Sequence, residues 1–319
     1  MWCKWAWGVQ RAHYCALTSA APVPCTSADV HLIQECSQQL SRSQHSAMEM
    51  LFADAVLAGL SCLGAQVVLS AFFAYALPSG PWKTQPGFTA HRVLSFLTMA
   101  YVSRLGLQAW FFPDAEMISA SSTTLSRLEQ AHPVGMHLSQ VLLGLNVIWD
   151  IPMGFLIDSL RTRSNARLML LHHLVVVVLT WLTIEPARFH YYCIFFFGAA
   201  EISTVPLALM DLFHPRNEDW SRLAKRSAAV GAFNSVCRVV FALAYLLTRA
   251  AYFPYVMFTG VVPDLLELLA MPARPVSKAS LHIILWSGIG LTGLQLYWAG
   301  LLVQQATAGR GATKPSKKL

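Results

Sequence analysis

The stretch RLMLLHHLVVVVLTWLTI, residues 167–184, decides the class of this chain. As a helix rising about 1.5 Å per residue it approaches the roughly 30 Å hydrocarbon core of a bilayer, and its only strongly polar interruption is His172-His173. Two titratable rings therefore sit at membrane depth. Imidazole is the side chain best suited to moving protons near neutral pH, so the pair suggests proton transfer or metal ligation. The plainer alternative is a polar pair satisfied by hydrogen bonds from neighbouring helices.

The rest of the chain repeats the pattern. Of 319 residues only 12% are charged, and mean hydropathy is +0.48. Apolar stretches of membrane length recur at residues 51–77, 91–112, 134–157, 167–184, 189–213, 228–253 and 281–304. The expected class is thus an all-α membrane protein of about seven transmembrane helices, with a tail over 1–46, a membrane domain over 47–305 and a basic tail over 306–319. The net charge of +7 serves topology rather than nucleic acid. With alternating loops, one side collects Lys83, Arg161, Arg163, Arg167, Arg216, Arg222, Lys225, Arg226, Arg310, Lys314, Lys317 and Lys318. The other has fewer, which predicts a cytosolic C-terminus and a lumenal N-terminus. A re-entrant pair within 228–262 would reverse that end. The seven cysteines show neither a Cys-x-x-Cys pair nor zinc spacing, so no metal is expected.

The spans carry further polar groups. Arg104 lies well inside the second, where an arginine costs roughly 2.5–3.5 kcal/mol unless it meets a partner or water. Ser139, Asn146 and Asp150 share one face of the third within about 40° of arc, and Pro152 is expected to bend that helix. Glu201 and Thr204 share a face of the fifth, preceded by small residues that admit a close neighbour. In the sixth, Ser227, Asn234, Arg238, Tyr245 and Arg249 form a stripe within roughly 60° that is expected to face protein, water or ligand. The segment from Pro113 to Pro133 reads as a plain connector. Together Arg104, Arg238 and Arg249 are expected to stand against Asp150 and Glu201, with His172 and His173 between them. That is either a set of ion pairs locking the helices or a polar cavity for an amphipathic ligand. Nothing resembles a Ser-His-Asp arrangement, a Walker loop or a kinase set.

The order of motifs resembles the TLC-domain membrane proteins, the family of the ceramide synthases and the translocating-chain-associating membrane protein. The matching pieces are His91-Arg92 with Ser95 and Phe96, Trp149-Asp150, His172-His173, and Glu201-Ile202-Ser203-Thr204 with Pro206. Arg238, Arg249, Phe253-Pro254-Tyr255 and Leu294-Gln295-Leu296-Tyr297-Trp298 follow. The resemblance implies a helical bundle or barrel around a lipid-sized polar cavity, commonly in the endoplasmic reticulum. Ceramide synthases pair the double histidine with a His-Asp on the next helix. Here that position reads Glu201-Ile202-Ser203, which resembles the branch linked to membrane-lipid homeostasis.

The expected function is accordingly the binding or handling of membrane lipid, a sphingoid or acyl lipid, with no cofactor required. The alternative is an N-acyltransferase with acyl-CoA as co-substrate and His172, His173 and Glu201 as catalytic groups. Arg104, Asp150, Asn234, Arg238, Arg249 and Thr204 are the candidate ligand-binding groups. A seven-span receptor also fits the span count, but an Asp-Arg-Tyr-like triplet and an Asn-Pro-x-x-Tyr are missing.

Overall fold

A computed structural model describes residues 52–157, 160, 166–185, 188–272 and 276–311. The 1–46 tail with its four cysteines, Arg161, Arg163 and the chain beyond 311 lie outside the described residues. Among those described every element is helical, and six helices are long and apolar enough to cross a membrane. They are α1 (Phe52–Ala76), α6 (Pro133–Leu156), α7 (Ala166–Ile184), α8 (His190–Phe213), α10 (Ala228–Ala270) and α11 (Lys278–Thr307). Shorter helices join them: α2 (Pro81–Thr84), α4 (Ala115–Ala120), α5 (Thr124–Glu129) and α9 (Glu218–Arg226). The remaining expected span lies in α3 (Pro86–Phe111), 26 residues long but less apolar because it carries His91, Arg92 and Arg104.

The linkers sort into two ends. At one, Leu160 packs with Phe88, Leu212 and Phe213, and Trp82 meets Trp220 edge-on at 6.2 Å. At the other, Phe189 N–H donates to Leu128 O at 2.8 Å and Arg127 meets Asp264. The chain thus runs back and forth between these ends from α1 to α11, and α3 is one of the passes. Exposed apolar side chains such as Leu57, Val68, Leu171, Trp181, Val239, Leu247 and Trp286 form an outer surface suited to lipid, while Trp149, Phe195, Leu138, Leu265 and Leu281 fill the interior. This is an integral, multi-pass membrane protein.

Four π-helical segments, Phe72–Ala76, Leu145–Asp150, Leu246–Tyr252 and Met257–Val261, each end two residues before a proline: Pro78, Pro152, Pro254 and Pro263. A proline ring clashes with the carbonyl one α-turn earlier and leaves it unbonded, and a widened turn just upstream relieves both. Pro152 therefore does not stop α6; the wide turn absorbs it. The same device carries α10 unbroken through Pro254 and Pro263, so 228–262 is one helix and not a re-entrant pair.

The segment between α3 and α6 is more than a connector. Arg127 Nε and Nη2 both donate to Asp264, at 2.6 Å each, and Tyr192 Oη donates to the same carboxylate at 2.6 Å. Thr124 Oγ1 reaches both Asp264 and Glu267. Asp264 raises the Arg127 guanidinium further above its already high range, so the cation is permanent. Asp264→Ala strands Arg127 and Tyr192 and is expected to cost about 2–3 kcal/mol, discounted for the partial exposure of Arg127. Thermal unfolding in detergent measures it; a melting curve identical to wild type would refute the contact's role.

Candidate functional site

The adjacent histidines divide between two environments, as their roughly 100° separation on a helix requires. His173 turns to α6. Its Nδ1 is 2.6 Å from Asn146 Oδ1, and its Nε2 is 3.2 Å from Asp150 Oδ2. The other oxygen of Asp150 lies 3.0 Å from His91 Nε2, and the His91 ring stacks on Trp149 at 4.8 Å. Trp149 Nε1 in turn donates to Gln66 Oε1 at 3.3 Å, and Gln66 Nε2 donates to Gly87 O at 2.8 Å. Asp150 is therefore shared by two imidazoles.

His172 turns the other way, into a cavity of about 100 Å³ between α6, α7, α8, α10 and α11. Its Nδ1 is buried and has no hydrogen-bond partner among the described residues. The ring meets His173 and Trp298 edge-on, at 5.5 and 5.8 Å. Most of the wall is apolar or aromatic, including Leu142, Phe189, Tyr192, Phe196, Phe253 and Met257, and the polar lining is His172, Thr183, Glu201, Arg249 and Gln295.

Glu201 and Arg249 occupy each other. Arg249 Nη2 is 2.7 Å from Glu201 Oε1, Arg249 Nε donates to Ser203 Oγ at 2.9 Å, and Arg249 Nη2 donates to Thr204 Oγ1 at 3.1 Å. Thr204 Oγ1 closes the ring by donating to Glu201 Oε2 at 2.6 Å. A break in α8 supplies the geometry. After Phe197-Gly198 the chain tightens into a 3₁₀ turn over Ala199–Ser203 before resuming as α-helix at Thr204. Gly106 of α3 lies against this break, and a Cβ on it would meet Ala199 N at 2.2 Å. The small residues before Glu201 thus do admit a neighbouring helix.

One side of the cavity is fixed by Tyr245, which donates to Gln295 Oε1 at 2.8 Å and ties α10 to α11. At the far end, His132 N–H donates to His190 Nδ1 at 3.0 Å, which leaves His190 Nε2 to donate to Thr183 O at 3.0 Å. Phe189, next to it, has φ of 62°, the one positive value on a non-glycine among the described residues. That left-handed kink turns the chain from α7 into α8 and presents the Phe189 ring to the cavity.

Of the residues singled out in the sequence, the structure brings His172, Glu201, Thr204 and Arg249 to or beside this cavity, and His173 and Asp150 to the adjoining network. It does not bring the others. Arg104 and Arg238 are exposed, and Arg238 Nε donates to Asn234 Oδ1 at 3.2 Å, one turn away on the same helix. The stripe on α10 is split along its length: Tyr245 and Arg249 are buried while Arg238, on the same face two turns before Tyr245, is exposed. Tyr192 and the Arg127–Asp264 pair behind it carried no sequence signal, since each is an ordinary residue until the fold joins elements far apart in the chain. Among the described residues no group of His, Cys, Asp and Glu is arranged to hold a metal ion.

Neither the curated proteins nor the solved structures give a match. The TLC-domain family model, that of the TRAM, LAG1 and CLN8 proteins, matches residues 68–304, from within α1 to within α11 and including every residue that lines the cavity at His172. The chain belongs to the TLC-domain family.

Proposed function

We propose that the chain binds a membrane lipid at this cavity and through it contributes to lipid homeostasis. The observation that carries the reading is an apolar, aromatic-walled cavity inside the bundle whose lining includes one buried, unpartnered acceptor or donor, His172 Nδ1. A buried polar atom without a partner costs on the order of 1–3 kcal/mol, and a ligand hydroxyl or amide would recover it. An engineered apolar cavity of about 150 Å³ takes one benzene-sized guest, so this site suits a chain segment or a small head group, with the rest of the lipid along the bundle. The family places the protein in a bilayer, where such a ligand is abundant. By charge, the end that holds Lys83, Arg222, Lys225 and Arg226 is the cytosolic one, with the C-terminus on that side, in the endoplasmic reticulum.

A second reading, acyl transfer from acyl-CoA to an amine, rests on the same unpartnered ring nitrogen acting as base, with Glu201 nearby. Two contacts weigh against it. Arg249, a candidate for the donor's phosphates, is taken by Glu201, and Arg238 is outside the bundle. The test is mass spectrometry of lipid co-purifying with wild type, His172→Ala and His173→Ala, each also incubated with labelled acyl-CoA and a sphingoid base. The expected result is a lipid class retained by wild type, reduced about tenfold by His172→Ala, and no labelled product. Labelled N-acyl lipid from wild type alone would overturn the proposal in favour of catalysis.

A further inference from the structure

At the end of the bundle where α2, α9 and the start of α10 meet lies a second, open cavity of about 490 Å³. Trp82, Leu212, Phe213, Trp220, Leu223 and Phe233 form most of its wall. The wall is apolar; the Nε1 of its Trp220 is buried and has no hydrogen-bond partner among the described residues, whereas Trp82 Nε1 donates to Pro78 O at 2.8 Å. Buried indole N–H groups ordinarily find an acceptor, and here none is present among the described residues.

The surroundings are cationic. Lys83 follows Trp82, and Lys225 and Arg226 close α9; all three are exposed and form no ion pair among the described residues, unlike Arg222, which lies near Glu218 and Asp219. The helix itself is amphipathic. Trp220 and Ala224 pack with Leu212, Phe213 and Val230, while its other positions are mostly charged. It joins two candidate spans, α8 and α10, and paired tryptophans with lysine and arginine are the side chains that favour the headgroup layer.

We propose that this cavity is a binding site for an anionic phospholipid. One acyl chain lies in the aromatic slot, an ester or phosphate oxygen accepts from Trp220 Nε1, and Lys83, Lys225 and Arg226 attract the headgroup. The occupant is a lipid because the two helices that give the apolar slot Trp82, Trp220 and Leu223 also carry the exposed cations Lys83, Lys225 and Arg226, and an anionic phospholipid is the molecule of the membrane that joins both features. A basic side chain near a membrane surface favours anionic lipid by a factor of several, and three together give a clear preference. The site is separate from the cavity at Glu201 and stands or falls independently of the function proposed for it.

The test uses purified full-length protein in neutral detergent, titrated with phosphatidylserine and phosphatidylcholine of identical chains and read by native mass spectrometry. Phosphatidylserine is expected to bind about tenfold more tightly or better. Lys83→Gln/Lys225→Gln/Arg226→Gln is expected to abolish the preference, and because these residues are exposed its melting temperature should match wild type. Trp220→Phe should weaken both lipids and keep the preference; if that variant does not fold, the charge variant alone decides. Glycerophosphoserine, the headgroup without chains, should not compete. Equal binding of the two lipids by wild type, an intact preference in the triple variant, or competition by the soluble headgroup would each overturn the proposal.

Discussion

Arg249→Met is expected to lower the stability of the purified protein by about 3–5 kcal/mol, the usual cost of stranding one partner of a buried ion pair. The side chains are 8% and 16% exposed for Arg249 and Glu201, so solvent cannot take over the lost interaction. Removing the guanidinium leaves Glu201 facing Thr204 alone and deprives Ser203 of its donor. Glu201→Gln/Arg249→Met should regain most of the loss, because two neutral groups of similar volume carry no uncompensated charge. Thermal unfolding of the two variants beside wild type reads the difference. Equal melting of wild type and Arg249→Met would show that the pair does not hold α8 to α10. A double variant no better than the single would assign the loss to packing rather than charge.

The spans were legible because each is a long apolar run, and a run survives any error about its neighbours. The π-turns were not, although prolines mark them: Pro152 reads as a bend, and the widened turn that lets a helix pass through a proline such as Pro152, Pro254 or Pro263 has no residue signature of its own. The polar stripe on α10 has a different explanation. A wheel drawn at 100° per residue puts Arg238, Tyr245 and Arg249 together, and periodicity alone does not say that neighbouring elements cover only the later part of that face. The Glu201–Arg249 association was within reach, since each was an expensive group at membrane depth that required a partner. Asp150 was expected to face Arg104, Arg238 or Arg249 and meets His91 and His173, because the spacing of charges along spans does not say which helices adjoin. Arg127 with Asp264 was beyond reach for the same reason.

Gly106→Ala is expected to be as damaging as any single change in the bundle, about 3 kcal/mol or more, although it adds only one methyl group. In a helix interior alanine is ordinarily favoured over glycine by roughly 0.5–1 kcal/mol, so the sign here depends on the surroundings. At Gly64 a Cβ meets nothing within 4 Å, and Gly64→Ala should be neutral or slightly stabilising. At Gly106 the nearest atoms are Ala199 N at 2.2 Å and Gly198 Cα at 2.4 Å, backbone that no rotamer change can move aside. Overpacking typically costs 1–3 kcal/mol when side chains can give, and rigid backbone sets the cost at the top of that range or above it. The only relief is to push α3 away from the 3₁₀ turn that carries Glu201, which also loosens its contact with Arg249. The two costs are therefore coupled. In the Glu201→Gln/Arg249→Met background, Gly106→Ala should cost measurably less than in wild type, by on the order of 1 kcal/mol, the range found for residues sharing a backbone shift. Strict additivity in the melting temperatures of the four proteins would mean that the glycine contact holds the helices together without setting the ion pair at the cavity wall.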